Sequence, residues 1–138
     1  MKKIDIPIYN YKLYIFVGKD LAKAPNFFLK KKGFKLTPSD LEELKSDTSH
    51  IEAFVYDLEA APGNCVLWIS NPEDRSTLEH ECMHIAIRIF EHIRCSIVAE
   101  TEEPFAYLYE FVVKKCWEVL NSKKSNVPKN TSKEKPSI

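Results

Sequence analysis

His80, Glu81 and His84 stand in the order His-Glu-x-x-His, as His80-Glu81-Cys82-Met83-His84, a spacing that lets one helix do metal chemistry. Residues four apart on a helix are offset by only about 40° and rise about 6 Å, so the two imidazoles point the same way. Two neutral imidazoles on one face can close on a single zinc ion at roughly 2.0–2.1 Å each. Glu81 lies about 100° round from His80, off the ligand row. It is placed to touch a water on the metal, which is the position of a general base. The neighbours agree: Thr77 stands three before the first histidine, Cys82, Met83, Ile85 and Ala86 are uncharged, and no Pro or Gly interrupts Ser76 to Arg94. Asn71, Pro72 and Asp74 read as the cap, first and third positions of that helix.

A catalytic zinc wants a third protein ligand and one open position. Eighteen residues separate His84 from Glu103, in the segment Glu102-Glu103-Pro104-Phe105-Ala106-Tyr107-Leu108. If the first helix runs to about Arg94 and the chain reverses through Cys95 to Glu100, a second helix returns antiparallel beside it. Its first turn would carry Glu103 as the third ligand, with Glu100 and Glu102 as substitutes. Ala106 and Tyr107 share nearly the same stripe, so the Tyr107 hydroxyl is a candidate hydrogen-bond donor to an oxyanion. Arg88, one turn beyond His84, is either a surface charge or an ion-pair partner behind a ligand.

The stretch from Thr77 to His84, followed by Glu102 to Leu108, resembles the small zinc metallopeptidase-like proteins encoded by tailed phages and prophages. Those typically read H-E-C-x-H and then D-E-A-x-A-Y-L. The resemblance covers roughly Ile51 to Leu120, and the N-terminal third only loosely. It implies His80, His84 and Glu103 as Zn2+ ligands, Glu81 as base, and a peptide or protein as substrate. Pro104 stands where that family tends to have Ala; proline is tolerated in a first turn, so it moves the helix start without abolishing the helix. A more distant likeness is to phage-regulatory peptidases that also pair the histidine motif with a downstream acidic residue.

The remaining elements must position that helix pair. Alternation through Ile4, Ile6 and Ile8, and then Tyr11 to Val17, predicts a strand or hairpin bending near Asn10 and ended by Gly18; Pro7 puts its first part at an edge. Leu21 to Lys32 reads as partly helical, broken by Pro25 and stopped by Gly33. Thr37-Pro38-Ser39-Asp40 opens a short helix to about Lys45. Ile51 to Leu58 and Cys65 to Ser70 read as two strands around a turn at Pro62-Gly63-Asn64. Of these, Ala53 to Tyr56 is the expected edge strand beside the active-site helix, where an extended peptide would pair. Trp68, Phe90 and Phe105 read as packing. The fold expected is α+β: a minimal zincin-like domain, with a small mixed or antiparallel sheet on the histidine helix and an antiparallel C-terminal helix.

Length and composition fit one minimal enzyme. With 138 residues, 44% apolar, a single core is expected, here over residues 1–121. Net charge is zero, which gives no general attraction to nucleic acid. From Ser122 to Ile138, however, five lysines stand against one glutamate, so residues 122–138 read as a disordered basic tail. A membrane partner is not expected, since no run approaches a membrane span and Met1-Lys2-Lys3 leads into alternating residues, so a cytoplasmic protein is expected. Cys65, Cys82, Cys95 and Cys116 lack CxxC spacing and read as reduced core thiols. Against the hydrolase stand two rivals: a non-catalytic protein of phage type whose zinc only staples the fold, and a binding module acting through the basic tail.

Overall fold

The computed structural model describes residues 1–122; the basic tail from residue 123 onward lies outside them. The fold is α+β. Its four strands, β1 (Lys2–Ile6), β2 (Tyr11–Val17), β3 (Ala53–Asp57) and β4 (Asn64–Ile69), form one mixed sheet in the order β1-β2-β4-β3. β1 and β2 pair antiparallel, β2 and β4 parallel, β4 and β3 antiparallel. The described chain also holds four α-helices, α1 (Ala24–Lys30), α2 (Pro38–Leu44), α3 (Arg75–His92) and α4 (Glu102–Leu120), and three short 3-10 helices at Pro7–Tyr9, Gly18–Lys23 and Ala99–Thr101.

Strand periodicity explains the layering. In the central strands both faces are apolar, the pattern of a sheet covered on two sides. Leu13, Ile15, Cys65, Leu67 and Ile69 face a core built with Leu78, Cys82, Ile85 and Ile89 of α3 and Val112 and Cys116 of α4. Tyr14, Phe16, Val66 and Trp68 face the other way, onto Phe28 of α1 and Leu44 of α2. Trp68 also donates its indole N–H to the Gly18 carbonyl at 2.8 Å, so its packing role comes with a satisfied polar atom.

Turn chemistry joins these pieces. Asn10, with φ 51°, reverses the chain between β1 and β2, a left-handed conformation that asparagine tolerates better than most residues. Thr37 caps α2 by accepting from the Asp40 N–H at 3.0 Å while Asp40 accepts from the Thr37 N–H at 3.1 Å, a reciprocal capping box. Two expectations shift. Pro25 lies in the first turn of α1 and opens that helix where a break was expected, because a first-turn residue needs no N–H. α3 is capped by Asp74, which accepts from the Thr77 N–H at 3.1 Å and hydroxyl at 2.7 Å. The Asn71 side chain instead accepts from the Glu73 N–H at 3.0 Å, so Asn71 and Pro72 form the approach turn and not the cap. The helix ends at His92, and Arg94 (φ 59°) with a 2.8 Å bond from Cys95 N–H to the Phe90 carbonyl turns the chain back.

α3 and α4 pack antiparallel, as a short connection favours. Their register is set by Phe90 on Phe105 (ring centroids 5.2 Å apart) at one end and Arg75 over the Trp117 ring (4.9 Å) at the other. Between them Cys82 and Cys116 meet; the Cys116 thiol is pushed well above its ordinary value, first by that hydrogen bond and then by burial. Cys65, Cys82 and Cys116 are buried and free, and Cys95 is half-buried and free. No described helix is long and apolar enough to cross a membrane.

Candidate metal-binding site on α3

The buried stripe of α3 runs through Leu78, Cys82, Ile85 and Ile89. Counting about 100° per residue, His80 and His84 fall roughly opposite that stripe, on the face turned from the core. Both are exposed. Their Nε2 atoms lie 3.2 Å apart, with the rings steeply inclined at 77°. That separation is at the long limit for an N–H···N hydrogen bond. It is close to the roughly 3.3 Å that two nitrogens at about 2.05 Å from one tetrahedral ion must keep. The donor pair therefore fits a shared zinc ion.

Glu81 turns toward β3. It is only 8% exposed, and no hydrogen bond or ion pair reaches its carboxylate among the described residues. Asp40, the other buried carboxylate, is the contrast: it is fully buried and accepts from four donors. The Glu81 carboxylate oxygens are not sealed from solvent, so Glu81 presents an unpartnered acceptor to whatever enters from outside. It opens into a groove of about 460 Å³ that it shares with His80 and Thr77 of α3, Ala53 of β3, and His50 and Glu52 of the preceding loop.

β3 is an edge strand, as expected for Ala53 to Tyr56, and it runs alongside α3 in the same direction. Its start, Ala53, shares the groove with Thr77 and His80. Its end, Asp57, accepts from Arg88 at 3.1 Å. Arg88 is thus a tie between helix and strand, where sequence reasoning left a surface charge or an ion pair behind a ligand. Asp57 also accepts from the Tyr11 hydroxyl. Burial first, then the neighbouring Cys65 thiol and Asp57 carboxylate, push that phenol far above its ordinary value, so Tyr11 stays a donor at any working pH.

Glu103 and Tyr107 are not brought to this place. The register of the helix pair puts the first turn of α4 level with the last turn of α3, so Glu103 lies roughly 12 Å along the axis from His84. The contacts of α3 with α4, through Arg75, Cys82 and Phe90, also lie round the helix from the histidine pair, by about 100° at Phe90 and about 160–180° at Arg75 and Cys82. Glu100, Glu102 and Glu103 are all exposed near the reversal. Tyr107, 67% exposed, instead lines an apolar groove with Ile6, Ile8 and Phe111. Among the described residues no three His, Cys, Asp or Glu side chains stand ready together to hold a metal ion. Sequence reasoning passed over His50 and Glu52, which share the groove with His80 and Glu81. The signal available was a histidine and a glutamate two apart, just ahead of the expected edge strand. No family model, curated protein or solved structure matches the chain.

Proposed function

We propose that this chain is a zinc-dependent hydrolase acting on a peptide bond, with His80 and His84 as metal ligands and Glu81 as general base. One observation carries the reading: two imidazole nitrogens 3.2 Å apart beside the Glu81 carboxylate, which faces the adjoining groove without a protein partner among the described residues. A histidine pair alone is an ordinary surface feature; a carboxylate aimed into the groove beside it adds the base that hydrolysis needs.

The residues divide the work as follows. His80 and His84 present neutral nitrogens to the ion. Zinc, when bound, supplies polarisation of the scissile carbonyl and a lowered water pKa. Glu81 accepts the proton of the attacking water and delivers it to the leaving amine, a transfer for which its position in the groove is suited. The free edge of β3 offers backbone N–H and C=O groups to an extended peptide, so the substrate adds as a further strand. Glu103 and Tyr107 enter no step, since neither lies beside the pair.

The test is zinc content of the folded chain together with hydrolysis of a mixed peptide library read by mass spectrometry. About one zinc per chain is expected. Glu81→Gln should retain the metal and lose cleavage, because an amide cannot take the water's proton. A folded wild-type chain that binds no zinc refutes the reading, and so does undiminished cleavage by Glu81→Gln. Zinc retained with no cleavage by the wild type would favour a metal that only staples the fold.

A further inference from the structure

Two imidazoles make an incomplete site, since catalytic zinc is held by three protein ligands. The missing donor must come from beside the pair, on the side where the groove lined by His80 and Glu81 opens. α4 does not serve that side, as the helix register shows. β3 and the loop before it do. The chain has four histidines, and of the two outside the motif His92 lies at the far end of α3, with its ring against Tyr11 at 5.6 Å. The other is His50, on the wall of the same groove as His80 and Glu81.

We propose that His50, carried by the loop leading into β3, is the third protein donor to a divalent cation held by His80 and His84. The proposal rests on the metal reading of the histidine pair. His50 contributes nothing to the core: its side chain is 86% exposed and its contact is an ion pair of 3.9 Å from Nε2 to Asp47. Residues 45–52 are exposed apart from Thr48, which is half-buried. The loop is tied locally, by Ser49 N–H to the Asp47 carboxylate at 2.9 Å and Ile51 N–H to the Thr48 carbonyl at 3.2 Å. The ring can therefore turn into the groove without disturbing packed residues. Asp47 supplies the carboxylate that metal-binding histidines commonly engage through their second nitrogen, leaving the other for the ion. Glu52 shares the groove, but its backbone carbonyl is fixed by Ser70 N–H at 2.9 Å, and its carboxylate would add a charge where imidazole suffices.

The experiment titrates zinc into the metal-stripped full chain by calorimetry and cobalt by visible absorption, for wild type, His84→Ala, His50→Ala, Glu52→Ala and Glu103→Ala. Circular dichroism checks that each variant is folded. His84→Ala should abolish stoichiometric binding. His50→Ala should weaken zinc by more than about 100-fold, beyond the 10–100-fold lost with an outer partner, and should remove the intense bands of four-coordinate cobalt. Glu52→Ala and Glu103→Ala should keep both affinity and bands. Unchanged binding by His50→Ala while His84→Ala fails overturns the assignment of His50 and leaves the pair standing. Loss in Glu52→Ala or Glu103→Ala, with His50→Ala unaffected, also overturns it and names the true ligand. No binding by the folded wild type overturns the metal reading itself.

Discussion

Replacing Asp40 by Asn should cost about 3–6 kcal/mol, although the change is a single atom. The Asp40 side chain is fully buried between α2 and the hairpin of β3 and β4. One oxygen accepts from the Tyr56 hydroxyl and the Glu59 N–H, both at 2.8 Å; the other accepts from the Thr37 N–H at 3.1 Å and the Ala60 N–H at 3.0 Å. Asparagine keeps one acceptor and turns an amide N–H2 against two N–H donors. Two hydrogen bonds to an ionised acceptor are lost, at about 1.5–3 kcal/mol each, and the donors left behind stay buried. Against a typical stability of about 5–15 kcal/mol this is a large share. Urea unfolding of both proteins reads it as a lower midpoint at unchanged slope. The pH dependence follows from the carboxyl itself. Burial would raise its pKa, but the Glu59 N–H, the Tyr56 hydroxyl and the Thr37 and Ala60 N–H groups outweigh burial and lower it. A lowered folded pKa contributes stability above the unfolded value of about 4, and that stability is lost as pH falls toward the folded value. The gap between wild type and Asp40→Asn should hold steady from neutral pH down to about 5 and close below about 4. A difference under about 1 kcal/mol at pH 7, or a gap that widens in acid, refutes the reasoning.

Phe90, 2% exposed and edge-on to Phe105 at 5.2 Å, should cost about 3–5 kcal/mol when cut to Ala, seen as a fall in the thermal midpoint. Arg88→Ala should cost under about 1 kcal/mol, less still at high salt, because the Arg88 and Asp57 side chains are 37% and 40% exposed and solvent screens the pair; a large loss in urea unfolding would contradict that. On the metal reading, saturating zinc should raise the wild-type thermal midpoint, by an amount equivalent to about 2.7 kcal/mol at a hundredfold excess over Kd. His84→Ala should show no such rise, and an equal rise in both proteins would remove the histidine pair from the site.

Periodicity and capping made most of the elements legible. Leu13 to Phe16 and Cys65 to Ile69 carry apolar residues on both faces, which marks interior strands, and Thr37-Pro38-Ser39-Asp40 announced the start of α2. The hairpin ahead of the histidine helix pointed to an edge strand, and of its two strands Ala53 to Tyr56 is the one at the edge. The Asp74 cap was harder to read. Asn71 and Asp74 are both good caps, and only the competing turn around Pro72 decides between them. The surroundings of the histidine pair were least legible. Eighteen residues between His84 and Glu103 say that two helices meet, but the level and side of the meeting depend on the packing of Phe90, Cys82 and Arg75. Those contacts carry no spacing signature. The place of His50 on the groove wall was invisible for a related reason: a loop residue reaches a groove through the path of the chain, not through periodicity.

The run of β3 beside α3 has a consequence for any peptide that pairs with it. From Ala53 to Asp57 a strand advances about 13 Å, and from His80 to Arg88 a helix advances about 12 Å, so the two elements keep level along this length. A strand added to the free edge of β3 would therefore travel along the face that carries both histidines. At one end the track is open, bounded by the exposed loop of His50. At the other, Arg88 and Asp57 bridge helix and strand at 3.1 Å, backed by Tyr11. On the hydrolase reading, the bridge limits how far a chain extends past His84 and leaves the His50 side unrestricted. Opening the bridge with Asp57→Ala should therefore admit longer peptide segments on the Arg88 side of the cut. The measurement is the length distribution of products from a fixed peptide library, and an unchanged distribution would show that the peptide does not follow β3.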